Sequence, residues 1–254
     1  MLSCLTAELV LFAPPAEVKL ATGDALGRIE VEPDASVYVS SADLKDAFYR
    51  LELPVTLRKY FCFRKVRSSA VGLGQAAGSG KESWVVPRLR VVPMGWSWAL
   101  YWCQTIHEAV VAQVGAIDEN RLVDHRMAPS SSCLHTEYVD NFHVIGTDKA
   151  KVQELARAGA CALRKAGLRV HEEEWSEGGA TVLGWQLDGA SRLRPAKQRL
   201  WRVRLAIRQV IRQGVINGQQ LEKLLGHMSF ISLLRREAFS CLGSVFTIVK
   251  RHYV

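Results

Sequence analysis

The chain has 254 residues, of which 48% are hydrophobic and 23% are charged, and its formal net charge is +8. These values predict a soluble globular protein with a sizeable core, in one large domain or two small ones. Because no run of about 18 apolar residues is present, we expect no membrane span. The first residues lack the basic segment and cleavage site of a signal peptide, so we expect a nuclear or cytoplasmic protein that is not secreted.

The six cysteines are scattered, and none belongs to a Cys-x-x-Cys pair. This spacing argues against a zinc site and indicates reduced thiols in the core. Cys133 and His135 lie close together in the sequence, but two residues do not make a metal site, and we expect a loop there.

The first predicted strand leads to a candidate carboxylate. Residues 1–36 are predicted to be irregular. Val37 and Val39 then alternate with polar residues, which indicates a strand that ends at Asp43 and turns into a short helix.

Two further strands are predicted before the first long helix. They cover the β-rich residues 57–66 and 84–92. Between them, the glycines within residues 68–83 favour a flexible loop or hairpin tip.

A helix is predicted over residues 93–114, because apolar side chains recur every four residues and form a stripe that we expect to be buried. The stripe consists of Trp98, Trp102, Ile106 and Val110. A loop over residues 115–136 then leads to a hairpin around YVDN, residues 138–141.

Asp148 is predicted to cap the next helix, which ends at Gly167. Residues 168–175 and 180–189 predict two more strands. Only helices are predicted afterwards, so an α+β domain is followed by a small helical domain.

The helical part is predicted to begin near residue 192. A helix within residues 195–214 comes first, Asn217 caps the next one, and a last helical stretch runs to the chain end. The helix after Asn217 has one apolar face, formed by Leu221, Leu224, Leu225 and Met228.

Basic residues dominate the first of these helices. Eight Lys or Arg residues and no Asp or Glu lie between Arg192 and Arg212. Arg204, Arg208 and Arg212 are four residues apart, so they form a ridge whose charges repel each other. A phosphate backbone would relieve this repulsion. The alternative is a solvated surface helix with an arginine bias.

The YVDN segment has two interpretations. Asp140 and Asn141 suit a type I′ hairpin turn, because Asn tolerates a positive φ. Alternatively, Asp140 and Asp43 lie at one end of neighbouring strands and hold two Mg²⁺ ions, which prefer oxygen ligands. The two interpretations are compatible, since a turn can aim a carboxylate.

Several segments, taken in order, resemble motifs of reverse transcriptases, particularly those of retrotransposons and retroviruses. They are SADLKDAFYRLELP (41–54), LRKYFCF (57–63), VVPMGWSWALYWCQ (91–104), YVDN (138–141), LRKAGLRVHEEE (163–174) with VLGWQL (182–187), and LEKLLGHMSFISLLRRE (221–237). The resemblance covers about residues 37–250.

This resemblance implies a fold and an activity. Residues 37–191 would form a palm, an antiparallel sheet packed on helices, and residues 192–254 a helical thumb. Residues 1–36 would be a remnant of largely missing fingers. The implied activity is RNA-directed DNA polymerisation, in which two Mg²⁺ or Mn²⁺ ions assist addition of deoxynucleotides to a primer 3′-OH on an RNA or DNA template.

The resemblance also implies roles for individual residues. The catalytic box would contain Asp43, Asp140 and Asn141, and the metal ligands would be both aspartates and the carbonyl of Leu44. Three further roles are implied. The nucleotide would be bound by Asp46, Ala47, Phe48, Met94 and Gly95. Gly184 and Trp185 would contact the primer, and the nucleic-acid backbone would be contacted by Arg204, Arg208 and Arg212. Phe48 would be a steric gate against a ribose 2′-OH, with a core phenylalanine as the alternative.

The sequence departs from the family pattern at several points. Asn141 replaces a second Asp, which removes a negative charge near two divalent ions. Met94 stands where Gln is usual. HEEE, residues 171–174, stands where the family often has a lysine, so no residue takes the role of that lysine.

Three hypotheses follow. The first is a polymerase domain of a retroelement, and the second is a relic or domesticated copy that binds nucleic acid without catalysis. The third is a structural α+β domain with a basic surface. We expect no membrane partner under any of them.

Overall fold

The computed structural model describes residues 15–73, 83–176, 179–188 and 192–252. Its central feature is a four-stranded antiparallel sheet. In spatial order its strands are β4 (Cys133–Tyr138), β5 (Asn141–Gly146), β1 (Tyr38–Leu44) and β6 (Val170–Ser176). Two smaller sheets comprise β2 (Val66–Arg67) with β3 (Trp84–Val85), and β7 (Gly179–Val182) with β8 (Trp185–Asp188) and β9 (Leu193–Pro195).

The α-helices of the described residues are α1 (Gly23–Gly27), α2 (Ala47–Arg50), α3 (Ser97–Ala112), α4 (Lys149–Lys165), α5 (Lys197–Gln213), α6 (Gly218–Ser232) and α7 (Gly243–His252). Short 3₁₀ segments cover Arg58–Tyr60, Ser68–Val71, Asp118–Asn120 and Arg236–Leu242. The mixture agrees with the predicted α+β class. None of the helices described here has the length and apolar character needed to cross a membrane.

Both faces of the central sheet are buried. Ala42 and Phe142 pair across β1 and β5 and share a core cluster with apolar residues of α3 and α4. Val39 and Ile145 pair on the opposite face, in a second cluster that contains Trp185. The sheet is therefore the middle layer of the molecule, and its accessible parts are the strand ends and the edge strand β6, in which residues 171–174 are exposed.

Helix α4 has the caps that the sequence predicts. The Asp148 side chain accepts hydrogen bonds from the N–H groups of Ala150 (3.1 Å) and Lys151 (3.2 Å). Gly167 follows the helix with a φ of 84°. The buried face comprises Val152, Ala156, Gly159, Ala160 and Leu163.

The predicted helix around residues 93–114 is present as α3, but its predicted buried stripe is wrong. Trp102 is 38% exposed, and the buried residues are Ala99, Cys103, Gln104, His107 and Val111. A shift of one residue rotates a helix face by about 100°. The pattern misleads because the buried face contains the polar residues Gln104 and His107.

The strand predicted over residues 57–66 is also wrong. Arg58–Tyr60 forms a 3₁₀ turn, and only Val66 and its neighbour pair with another strand. Phe61 instead packs edge-on against Trp96, with 5.1 Å between ring centroids. Its aromatic character therefore reflects core packing.

The region around residues 84–92 is less regular than predicted. Its only strand within the described residues is β3, and Arg88 and Val91 form isolated bridges. Of the glycine-rich segment 68–83, residues 74–82 lie outside the described part.

Residues 15–36 are not wholly irregular, because they contain α1; residues 1–14 lie outside the described part. Asp124 anchors α1, since its carboxylate accepts hydrogen bonds from the N–H and the hydroxyl of Thr22, each over 2.8 Å.

The loop predicted at Cys133 and His135 is also wrong, because both residues belong to β4.

The C-terminal helices follow the predicted order. Asn217 forms a capping box with Gln220, in which the Gln220 N–H donates to the Asn217 side chain over 2.8 Å. The last stretch is a 3₁₀ segment followed by α7, and residues 253–254 are not described. The Phe230 ring of α6 stacks on Trp185 at 4.9 Å, which attaches these helices to the sheet core.

Candidate functional site

Asp43 and the YVDN turn meet at one end of the central sheet. Asp43 of β1 lies directly opposite Asn141 of β5 in the strand register. The N–H of Leu44 donates to the backbone carbonyl of Asp140 over 2.8 Å. The neighbouring strands expected from the sequence are therefore present, and they bring Asp43 and Asp140 together.

The turn that presents Asp140 is centred one residue earlier than predicted. Tyr138 pairs with Asn141, so the two turn residues are Val139 and Asp140, and Asn141 already belongs to β5. Of these two residues only Val139 has a positive φ, of 58°. The predicted type I′ turn on Asp140 and Asn141 is therefore wrong, since that type needs a positive φ at both central residues.

A positive φ strains a β-branched residue, so the turn needs support from its surroundings. Helix α3 provides it. Gln104 donates to the carbonyl of Glu137 over 3.0 Å and accepts from the N–H of Val139 over 2.9 Å. The Nδ1–H of His107 donates to the carbonyl of Val139 over 3.0 Å.

Sequence reasoning missed Gln104 and His107. Burial lowers the pKa of His107, which keeps its ring neutral and its Nδ1 hydrogen available for the turn carbonyl. The available signal was a pair of polar residues three apart in a helix otherwise rich in apolar residues.

A buried ion cluster lies next to this hairpin. The fully buried carboxylate of Glu137 contacts Nδ1 of His135 at 2.7 Å and Nε of Arg121 at 3.4 Å. Arg121 also contacts Glu108 at 2.7 Å. Moving one partner out of the cluster would leave a buried charge uncompensated, which is costly. The cluster therefore holds β4 in place next to the turn.

The side chain of Asn141 is turned toward its neighbour. Its Nδ2 donates to Oδ1 of Asp140 over 2.9 Å. The amide therefore orients the Asp140 carboxylate, whereas a second aspartate would have repelled it.

Asp43 lies among other ionisable groups. Burial raises its pKa most, the nearby charges of Asp140 and Glu172 raise it further, and His171 acts in the opposite direction. Nδ1 of His171 is 3.2 Å from Oδ2 of Asp43. Residues of the HEEE segment, left without a role by the sequence, thus lie beside the predicted metal ligand.

The site contains suitable ligands for a divalent cation. Ligand atoms of Asp43, His171 and Glu172 lie within 4.8 Å of one another. Carboxylate oxygens suit Mg²⁺ and Mn²⁺, and imidazole nitrogen suits transition metals. The carboxylate of Asp140 lies close enough to influence the charge of Asp43.

The predicted nucleotide-binding residues fall in two adjacent segments. Asp46 has a φ of 57° and precedes α2, and the hydroxyl of Tyr49 contacts Sδ of Met94 at 3.5 Å. Met94 is 64% exposed, and the next residue, Gly95, has a φ of 92°. These two turns thus lie side by side at the surface.

Ala47 and Phe48 of α2 point into the protein to different degrees. Ala47 is buried, and Phe48 is half-buried and packs against two core clusters. The packing of Phe48 matches its alternative interpretation as a core residue, while its remaining exposed part leaves room for contact with a ligand.

The single strand predicted over residues 180–189 is wrong, because β7 and β8 form a hairpin here; residue 189 lies outside the described part. Leu183 and Gly184 make the turn with φ of 50° and 80°. Trp185 is 0% exposed, so its side chain belongs to the core and only Gly184 of the predicted primer pair lies at the turn.

The arginine ridge is exposed on α5. Arg204, Arg208 and Arg212 have no carboxylate partner among the residues that the structure describes. Trp201 and Leu205 are exposed on the same helix, and Val203 is its only fully buried residue. Helix α5 therefore presents the three arginines of the ridge and the aromatic ring of Trp201 to a partner.

Neither a protein-family model nor a curated protein matches the sequence. Among solved structures, the chain is similar to the foamy viral protease-reverse transcriptase in complex with an RNA/DNA hybrid. The TM-score is 0.55, the identity is 12%, and 94% of this chain is covered. The same viral protein in its dRH form, in complex with double-stranded DNA, gives a TM-score of 0.55 and 12% identity over 91% of this chain.

These comparisons show the fold alone. The chain has a reverse-transcriptase-like fold, and it spans 27% and 34% of the lengths of the two matching chains.

Proposed function

We propose that this chain is the palm and thumb of a retroelement-derived reverse transcriptase that transfers deoxynucleotides to a primer 3′-OH on an RNA or DNA template. The observation that carries the proposal is the placement of Asp43 and Asp140 at one end of adjacent antiparallel strands. The fold similarity to a viral reverse transcriptase supports it.

Asp43, Asp140 and the carbonyl of Leu44 would hold two Mg²⁺ or Mn²⁺ ions, which supply activation of the attacking hydroxyl and stabilisation of the leaving pyrophosphate. Asn141 would orient Asp140 through its 2.9 Å hydrogen bond. Gln104 and His107 would keep the turn in the geometry that aims this carboxylate.

The remaining residues would bind the substrates. Asp46 and Ala47 would offer N–H groups to the triphosphate, and Phe48 would limit the space for a 2′-OH. Met94 and Gly95 would contact the nucleotide, and Gly184 with the backbone of Trp185 would contact the primer. The ridge of Arg204, Arg208 and Arg212 would follow the duplex phosphates.

Primer extension on an RNA template tests this proposal, with the purified chain in Mg²⁺ and in Mn²⁺. We expect extension that Asp43→Asn and Asp140→Ala abolish. Glu174→Gln, an exposed position on β6, should leave extension unchanged. Extension that survives the aspartate substitutions would contradict the proposal.

The second candidate is a relic that binds nucleic acid without catalysis. Asn141 favours it, because one carboxylate is missing beside the ions. Duplex binding that weakens with salt, without extension in either metal, would select this candidate.

A further inference from the structure

Strand β6 contains an irregularity next to Asp43. In the pairing of β1 with β6, Asp43 lies opposite Glu172, but Leu44 lies opposite Val170. His171 is therefore an extra residue on β6. Consecutive strand residues normally point to opposite faces, whereas a bulge redirects side chains.

The bulge brings two neighbouring side chains to the same carboxylate. Nδ1 of His171 is 3.2 Å from Oδ2 of Asp43, and Nε2 of His171 is 3.5 Å from Oε1 of Glu172. The side chains remain partly accessible, with exposed fractions of 33% for His171 and 29% for Asp43. An ion from solvent can therefore reach all three residues.

The negative charges here lack a fixed cation. No lysine or arginine of the described residues forms an ion pair with Asp43, Asp140 or Glu172. Asp43 lies opposite Glu172 across β1 and β6, and the residue after it, Leu44, is hydrogen-bonded to the backbone of Asp140. A divalent cation would remove the repulsion between the carboxylates.

The mixture of ligands distinguishes between cations. Mg²⁺ demands near-octahedral oxygen coordination and gives up water reluctantly. An imidazole nitrogen is a softer ligand that transition metals accept more readily. Glu172 supplies a carboxylate on the β6 side of Asp43, whereas Asn141, which has none, lies on the β5 side.

We propose that Asp43, His171 and Glu172 form a divalent transition-metal site that binds Mn²⁺ in preference to Mg²⁺. The inference rests on the proposed function in one respect, which is that the ion at Asp43 is one of the two polymerase ions. Its binding chemistry stands on the three residues themselves.

Mn²⁺ binding to the full chain, followed by electron paramagnetic resonance with Mg²⁺ as competitor, tests the site. We expect His171→Gln and Glu172→Gln each to weaken Mn²⁺ binding by about tenfold or more, because loss of a group that only supports a metal ligand already costs about 10–100-fold. His171→Gln should weaken Mg²⁺ binding less, because Gln offers an oxygen ligand. Glu174→Gln is the matched control on the same strand and should bind Mn²⁺ as the unmodified chain does.

Thermal unfolding of each variant shows whether the exposed substitutions leave the fold intact. A folded His171→Gln chain that retains full Mn²⁺ affinity overturns the inference, even if primer extension depends on Asp140. Loss of Mn²⁺ binding in His171→Gln, in a chain without extension in either metal, supports the site and contradicts the proposed polymerase. The two proposals can therefore fail separately.

Discussion

The N–H of Val139 donates to Oε1 of Gln104 over 2.9 Å, which links the strained residue of the hairpin turn to helix α3. The same side chain donates to the carbonyl of Glu137 over 3.0 Å. One buried side chain thus satisfies backbone groups on both sides of Tyr138. The aim of Asp140 consequently depends on a residue of a different element.

Gln104→Leu keeps the approximate volume of the side chain but removes its two hydrogen bonds to the hairpin backbone and a third to the Glu108 carboxylate at 2.7 Å. It leaves two backbone groups unpaired, each worth about 1–3 kcal/mol when buried. We expect a loss of at least ~2 kcal/mol in the free energy of unfolding, measured by urea denaturation. Thr105→Ala, at the next, exposed position of α3, should change this free energy by less than about 0.5 kcal/mol.

Equal losses in Gln104→Leu and Thr105→Ala would show that the turn does not need its support from α3. If Gln104→Leu instead leaves the free energy of unfolding unchanged but reduces primer extension, then Gln104 sets the geometry of the turn without stabilising the fold.

The local parts of this fold could be predicted from the sequence. Helix α4 has an aspartate cap, an apolar period and a terminal glycine within one segment, and all three are present in the structure. The adjacency of Asp43 and the hairpin was also expected. That expectation came from the motif resemblance, because pairing of distant strands leaves no local pattern.

Features that depend on contacts between distant segments of the chain could not be predicted. The face of α3 was misplaced because Gln104 and His107 are polar yet buried, and the backbone groups of the hairpin that they contact are 32 or more residues away. His171 was missed because a bulge exists only in the register between two strands. The aromatic residues after Leu57 gave a strand pattern, although the segment pairs with residues 87–89 only through an isolated bridge at Cys62, and Phe61 packs in the core while Phe63 is exposed.

Two glycines of similar helical context should respond oppositely to alanine. A Cβ on Gly159 of α4 would lie 2.3 Å from the ring of Phe142, which is fully buried and cannot move aside. We expect Gly159→Ala to destabilise the protein by about 1–3 kcal/mol through overpacking.

Gly226 of α6 is the matched comparison, because a Cβ there meets nothing within 4 Å. Gly226→Ala should stabilise the protein by up to about 1 kcal/mol, since alanine is the better helix former. Thermal or urea unfolding measures both variants. A stabilised Gly159→Ala chain would show that α4 packs less closely on the sheet than the structure indicates.

His143 should make stability depend on pH. Its pKa is lowered from 6.5 to about 4, first by burial and then by the nearby His107. Both ring nitrogens are buried without a hydrogen-bond partner among the described residues. Because the folded pKa lies below the unfolded one, the unfolded chain binds more protons between these values.

The contribution of His143 to the free energy of unfolding is therefore most favourable above pH 6.5. The free energy of unfolding decreases as the pH falls from 6.5 toward 4. Between about pH 7.5 and about pH 5, we expect His143 alone to cost about 2 kcal/mol of the free energy of unfolding. His143→Leu should remove this part of the pH dependence, as urea titrations at both pH values would measure. His227→Gln, at an exposed position of α6, should keep it, and equal slopes for both variants would contradict the assignment.

The arginine ridge of α5 should determine how nucleic-acid binding responds to salt. Each phosphate neutralised by an arginine contributes about 0.9 to the slope of log K against log salt for duplex DNA. We expect Arg208→Gln to reduce that slope by about one and to weaken binding to the same extent for unrelated sequences.

Arg126→Gln is the control for the ridge, because Arg126 is also exposed but contacts Asp118 at 2.9 Å. It should leave the slope unchanged. Fluorescence anisotropy of a labelled duplex at several salt concentrations measures both variants. If the two substitutions change the slope equally, binding reflects net charge alone, and α5 is then a solvated helix whose arginines contact no backbone.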